Sequence, residues 1–178
     1  MRLKLVFAEL RSANVRRCEE VFHALGAWTS QRWALACAGE VGEVCNAWKK
    51  VVRGDGTIMA VGQELADVVI YADLLAARLG AATAAVEEWD GLGVEVGGGL
   101  DGVEEDILEL VHDMDIIAAR IRAFEPVVSL HSVVRSAAIV AAGVGLDLPF
   151  AIVQKFNAVS KKRNCRILLG MQPAEGAP

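Results

Sequence analysis

Four acidic residues stand inside stretches of the chain that are otherwise apolar. Glu40 and Glu43 are three residues apart, as are Glu64 and Asp67, and valine, leucine, alanine and glycine surround both pairs. Residues at this spacing project from nearly the same face of an α-helix, so each pair presents two carboxylates side by side. Carboxylates that share an apolar interior repel one another and stay protonated unless a cation neutralises them. The fold must therefore supply these groups with a cation, or leave them on an exposed helix face.

The rest of the sequence predicts an all-α fold, an antiparallel helical bundle. Alanine and leucine are abundant, alternating β-branched residues are scarce, and glycine and proline fall in clusters between the apolar segments. Apolar residues make up 54% of the 178 residues, which suffices for one core and a single domain over residues 1–178. The expected helices run from about Leu5 to Ala24, Ser30 to Val52, Thr57 to Leu79, Asp101 to Ala123, Ser129 to Ala142 and Asp147 to Arg163, with a short helix that ends at Trp89 between the third and the fourth of these. Ser30, Thr57 and Asp101 are the expected N-terminal caps of their helices. The six glycines from Gly91 to Gly102 predict a linker.

Charge and composition exclude several classes of protein. The net charge of −5 argues against a nucleic-acid partner. No uncharged run reaches the roughly 18–20 residues that a membrane span needs, and the first residues lack the cleavage site of a signal peptide. The four cysteines form no CxxC pair, which is typical of buried thiols in a reducing compartment. We therefore expect a cytoplasmic protein with no membrane partner.

The acidic pairs favour a particular kind of cation. Arg53-Gly-Asp-Gly56 is a turn signal between the two acidic helices, so they can pack antiparallel and bring the pairs together. Oxygen ligands without histidine or cysteine suit Mg²⁺ or Mn²⁺ better than zinc. The sequence therefore predicts a site for a hard divalent cation.

The pattern ExxE, a gap of about twenty residues and then ExxD resembles the signature of the MazG-like, all-α nucleoside triphosphate pyrophosphohydrolases. Further stretches are similar to compact bacterial and phage members of that family, and together they cover about residues 10–80 and 145–163. They are Asn14 and Arg17, Trp28 and Trp33, residues 38–50, Arg53-Gly-Asp-Gly56, residues 64–73 and Lys155-Phe-Asn-Ala-Val-Ser160.

The resemblance implies hydrolysis of a (deoxy)nucleoside triphosphate to the monophosphate and pyrophosphate, in the service of nucleotide-pool sanitising. It implies Mg²⁺ held by Glu40, Glu43, Glu64 and Asp67. A carboxylate that is not fully committed to the metal can take the proton of the attacking water, and we assign that catalytic role to Glu43.

Substrate binding requires cations for the phosphates and an aromatic wall for the base. For the base, Tyr71 lies one turn beyond Asp67, and Trp33 precedes the first acidic pair; Trp28 and Trp48 are also available. For the phosphates, the expected residues are Lys49, Lys50, Arg53, Lys155 and Lys161, with Asn157 from the Lys-Phe-Asn stretch.

Residues 81–144 have no counterpart in compact MazG-like members, and we expect them to form a helical insert packed against the core. Leu65, Val68, Leu75 and Leu79 are expected to face a partner subunit in a homodimer. Other functions stay open. One is a related enzyme, such as a dimeric-type dUTPase or a phosphoribosyl-ATP pyrophosphohydrolase. Another is a catalytically idle helical module that binds a nucleotide or a protein.

Overall fold

The computed structural model describes residues 3–4, 7–82, 102–170 and 172–173. Helices form nearly all of the regular structure, and the all-α fold class is confirmed. The helices are α1 (Phe7–Val21), α2 (Ser30–Val52), α3 (Ile58–Leu79), α4 (Val103–Arg122), α5 (His131–Gly143) and α6 (Leu148–Lys162). A single 3-10 turn, Leu25–Ala27, separates α1 from α2, and strand β1 (Leu3–Lys4) pairs antiparallel with β2 (Gln172–Pro173).

Side-chain caps set the starts of three helices. Thr57 caps α3 by accepting a hydrogen bond from the backbone N–H of Ala60, and Asp147 caps α6 in the same way. The prediction of Ser30 as the cap of α2 is wrong by one residue, because Thr29 accepts the N–H of Arg32 at 3.2 Å. The helix expected to end at Trp89 lies outside the described residues, as do the Gly91–Gly102 linker up to its last residue and the expected cap Asp101.

The hairpin of α2 and α3 forms the centre of the bundle. Val41 and Val44 of α2 and Leu65 and Val68 of α3 are buried, and each is adjacent in sequence to one of the four acids. Burial of these apolar neighbours fixes how the two helices face each other. The turn between them is tight, since a side chain at Gly56 would come within 2.8 Å of backbone atoms at the end of α2.

Helices α4 and α5 pack onto this hairpin, as expected of the insert. Helix α4 lies on α2, where Trp48 donates a hydrogen bond from Nε1 to Glu104 at 3.4 Å, and α5 lies on α4 and α3. The expectation that Leu65, Val68 and Leu75 face a partner subunit is wrong, because all three are fully buried within the chain. Leu79 is half-buried and packs against the core of the same chain. The homodimer itself stays a prediction.

A buried polar network joins α1 to α3. Asp73 is fully buried, and its carboxylate accepts hydrogen bonds from Arg11 Nε at 2.6 Å and from Asn14 Nδ2 at 3.1 Å. The same Asn14 amide donates to the carbonyl oxygen of Ile70. Helix α1 adds Arg17, whose guanidinium donates to the carbonyl oxygen of Phe156 on α6. These bonds hold three helices at fixed positions around the site described below.

Within the described part of the chain, no single helix is long and apolar enough to cross a membrane. Taken together, α5 and α6 are long and apolar enough to meet the same criteria of length and composition, but the two helices are bent by 107° relative to each other.

The tight turn between α2 and α3 leads to a first prediction. Gly56→Ala should lower the free energy of unfolding by about 1–3 kcal/mol, because the new methyl group meets backbone that cannot move aside easily. Gly39→Ala is the matched control. Gly39 lies in the middle of α2 with no atom near its missing side chain, so alanine should raise stability by about 0.5–1 kcal/mol. Urea unfolding measures both, and equal effects of the two variants would contradict the close approach at Gly56.

Candidate functional site

Three of the four predicted acids converge. One carboxylate oxygen each of Glu40, Glu64 and Asp67 lies within 4.8 Å of the others, and all three side chains are partly buried. Glu40 comes from α2 and the other two from α3, so packing of the hairpin produces the cluster. We call these three residues the acidic cluster. Such a group of oxygen atoms could hold a metal ion.

Glu43 does not join the acidic cluster. Its side chain is exposed, one turn beyond Glu40 on α2. Its charge nevertheless acts on the cluster, since it raises the pKa of both Glu40 and Glu64. Glu43 therefore lies at the edge of the site, where solvent reaches it.

The cluster is electrostatically costly in the absence of a cation. Burial raises the pKa of Glu40 to about 7, and the charges of Asp67 and Glu64 contribute to this shift. Burial also raises the pKa of Glu64 and of Asp67. At neutral pH a cation bound here would replace protons or relieve repulsion.

Lys155 provides a positive charge beside the acidic cluster. It reaches across from α6, and its Nζ lies 2.6 Å from Oδ2 of Asp67, with both side chains about one-fifth exposed. Burial by itself would lower the pKa of Lys155, but its hydrogen bond to Asp67 and the charges of Asp67, Glu64 and Glu40 raise it. The lysine therefore stays charged, and it ties α6 to the acidic helix α3.

An aromatic cavity of about 380 Å³ opens beside the acidic cluster. The rings of Trp28 and Trp33 lie 4.7 Å apart between centroids, and Tyr71 lies 6.3 Å from Trp33. Trp33 is held in place by a hydrogen bond from Nε1 to the carbonyl oxygen of Leu25. The residues that line this cavity are Arg17, Cys18, Phe22, His23, Trp28, Trp33, Glu40, Asp67, Ile70, Tyr71, Leu74, Lys155, Val159, Lys162 and Arg163. Three of the residues predicted to bind substrate, Trp33, Tyr71 and Lys155, thus meet two of the predicted metal ligands.

The sequence reasoning missed three cations of this cavity. Arg17 is buried with its guanidinium 3.6 Å from the ring centre of Phe156, and burial lowers its pKa to about 10. Lys162 and Arg163 lie at the end of α6, where the sequence pattern favoured Lys161 instead. The only sequence signal for Arg17 is its place, with Asn14, among the stretches that resemble MazG-like enzymes. The position of Arg163 depends on where α6 ends, which the helical periodicity does not fix.

Other predicted phosphate ligands are not brought to the cavity. Asn157 donates to the carbonyl oxygen of Leu169 and accepts the N–H of the same residue, so its amide is engaged with the C-terminal segment. Arg53 pairs with Asp55 at 3.2 Å in the exposed turn, and Lys161 points to solvent. Lys49 and Lys50 are exposed at the end of α2, and the charge of Lys50 acts to lower the pKa of Glu64. A role in binding substrate stays a prediction for these residues.

Comparisons of the chain with models of known protein families, with curated proteins and with solved structures give no match.

The raised pKa of Glu40 predicts how the metal-free protein responds to pH. Below about pH 4.5 this carboxyl is protonated in both the folded and the unfolded state, so the ionisation of Glu40 takes nothing from the free energy of unfolding. Between about pH 4.5 and 7 the unfolded state ionises first, so stability is lost as pH rises. Glu40→Gln should therefore show a smaller fall in melting temperature over this range in EDTA.

Glu109→Gln removes an exposed acid from α4 and serves as the control for this experiment. Thermal melts of the three proteins in matched buffers give the comparison. If the wild type and Glu40→Gln had the same pH slope, the proposed environment of Glu40 would be wrong.

Proposed function

We propose that this protein is a Mg²⁺-dependent nucleoside triphosphate pyrophosphohydrolase, which cleaves a (deoxy)nucleoside triphosphate to the monophosphate and pyrophosphate. One observation carries the proposal: an acidic cluster and a lysine lie at the edge of an aromatic cavity of about 380 Å³. Cavities that bury small organic ligands begin at roughly 300 Å³, so a nucleoside is of suitable size.

The acidic cluster fits Mg²⁺ by the chemistry of its donors. Its three members offer only carboxylate oxygens, and hard oxygen donors are the ligands that Mg²⁺ takes in proteins. Bound there, Mg²⁺ would offset the charge of the carboxylates and of the triphosphate and polarise a phosphate oxygen.

The walls of the cavity suit a nucleoside. Trp28, Trp33 and Tyr71 present ring faces and edges on which a base can stack. Arg17 contributes a buried positive charge, and Lys162 and Arg163 stand at the same cavity. These cations favour an anionic ligand.

The chain also offers a proton acceptor. Glu43 is exposed and outside the three converging carboxylates, so it is free to accept a proton from water. In the proposed reaction the water oxygen attacks the α-phosphorus, the bond from that phosphorus to the bridging oxygen breaks, and pyrophosphate leaves with the electron pair. Lys155, beside Asp67, would hold the phosphate chain close to the cluster.

The proposal is tested by a substrate panel with the full chain. The common ribo- and deoxyribonucleoside triphosphates, with dUDP and oxidised nucleotides, are incubated with and without Mg²⁺, and pyrophosphate and monophosphate are measured. We expect equal amounts of the two products from at least one triphosphate, and loss of turnover in excess EDTA. Release of phosphate instead of pyrophosphate, or undiminished turnover in EDTA, would refute the proposal. Nucleotide binding without any turnover would favour the idle module.

Two isosteric variants separate metal binding from the abstraction of a proton from water. Asp67→Asn removes a member of the acidic cluster, so both turnover and the rise in melting temperature caused by Mg²⁺ should fall. Glu43→Gln should lower kcat by about a hundredfold while leaving the Mg²⁺-dependent rise in melting temperature in place. Glu109→Gln again serves as the control, with both readouts unchanged. Wild-type turnover in Glu43→Gln would remove this residue from the catalytic assignment.

A further inference from the structure

A second depression runs between the start of α3 and the length of α6. It has a volume of about 380 Å³, and we call it the α3–α6 groove. Met59 and Phe150 stand at it with 58% and 46% of their surface exposed, and Leu146, Ala151 and Ala158 add further apolar lining. Exposed apolar surface gathered into a concave site is typical of ligand binding.

The groove owes its depth to a glycine. Gly62 is buried in α3, and a side chain there would come within 2.8 Å of Cδ1 of Leu146. The missing side chain lets the connection between α5 and α6 approach α3 closely. Leu146 can therefore line the groove instead of being pushed outward.

The groove adjoins the aromatic cavity along α6. Lys155, Val159 and Lys162 line both depressions. On α3, Gln63 lines the groove and Asp67, one turn further along the same helix face, lines the cavity. The Lys155–Asp67 pair therefore stands at the junction of the two depressions.

The chemistry of the groove does not suit a free pyrophosphate. A phosphate group is charged and needs cations or water around it. Most of the groove is aliphatic and aromatic, and its amides at Gln63 and Gln154 are neutral. The one carboxylate among its described lining residues, Asp147, would repel a phosphate and already accepts the N–H of Phe150. Its two lysines, Lys155 and Lys162, stand where it borders the aromatic cavity. Anionic phosphates thus belong at the junction, and an apolar group belongs in the groove beyond them.

We propose that the groove binds the second half of a two-ended substrate, a nucleoside diphosphate whose β-phosphate carries an organic group with an apolar face, such as a second nucleoside. The inference rests on the proposed function and extends it to a new substrate class. Water attacks the α-phosphorus, the bond to the bridging oxygen breaks, and the β-phosphate leaves as a phosphomonoester of the second group. Glu43 accepts the proton of the attacking water and passes it to the solvent.

The experiment compares two substrates that contain the same nucleoside. One is the triphosphate that the panel identifies, and the other is the symmetrical dinucleoside diphosphate, with monophosphate release measured in Mg²⁺. Ala158→Trp and Gln154→Trp each place a bulky ring at exposed positions that line the groove but not the aromatic cavity. Each should reduce kcat/KM for the dinucleoside diphosphate by at least about tenfold and leave the value for the triphosphate within about twofold.

Leu108→Trp adds the same ring at an exposed position on α4 and is the control, for which both substrates should be unaffected. Cleavage of the triphosphate without cleavage of the dinucleoside diphosphate would overturn the groove assignment and leave the proposed function standing. Equal effects of the groove variants on both substrates, or no effect on either, would also overturn it. Failure to cleave either substrate would overturn the proposed function together with the inference.

Discussion

The packing of α2 against α3 places three carboxylates closer together than their charges favour. Val41 and Leu65 are buried beside Glu40 and Glu64, so the acids cannot separate without exposing the apolar core of the hairpin. Hydrophobic burial therefore imposes the repulsion, and Lys155 relieves part of it by pairing with Asp67. Burial of Glu40 in this packing raises its pKa to about 7, and the nearby charges of Asp67 and Glu64 add to the shift.

Local sequence patterns predicted the helices because their signals are local. Thr57 caps α3 as expected, and α6 begins at Asp147-Leu-Pro149 as expected. Gly80 ends α3 in the left-handed conformation that glycine adopts readily. The cap of α2 was misplaced by one residue because Thr29 and Ser30 are both good capping residues. The convergence of three of the four acids was also predictable, since it needs only two helices joined by a short turn; Glu43, the fourth, lies outside the group.

Features that depend on three or more helices were not predictable in this way. Arg17 reaches the aromatic cavity because α1 packs on α3 and α6 together, and no spacing within α1 encodes that arrangement. Asn157 fits the pattern of a substrate ligand, yet it binds the C-terminal segment, which lies twelve residues further along the chain. The burial of Leu65 and Leu75 likewise depends on the neighbouring helices of the same chain. The apolar pattern indicated that these side chains are covered, but not whether the same chain or a partner subunit covers them.

The double hydrogen bond between Asn157 and Leu169 has a consequence for the orientation of α6. Asn157 follows Lys155 by two residues, which is roughly 200° around a helix, so the two side chains leave α6 on nearly opposite sides. One side is held by the acidic cluster, and the other is fastened to a segment whose Cys165, Ile167 and Leu169 are buried. The helix is thus clamped against rotation about its own axis. The segment after α6 therefore helps to fix the rotation of α6, and with it the direction in which Lys155 points.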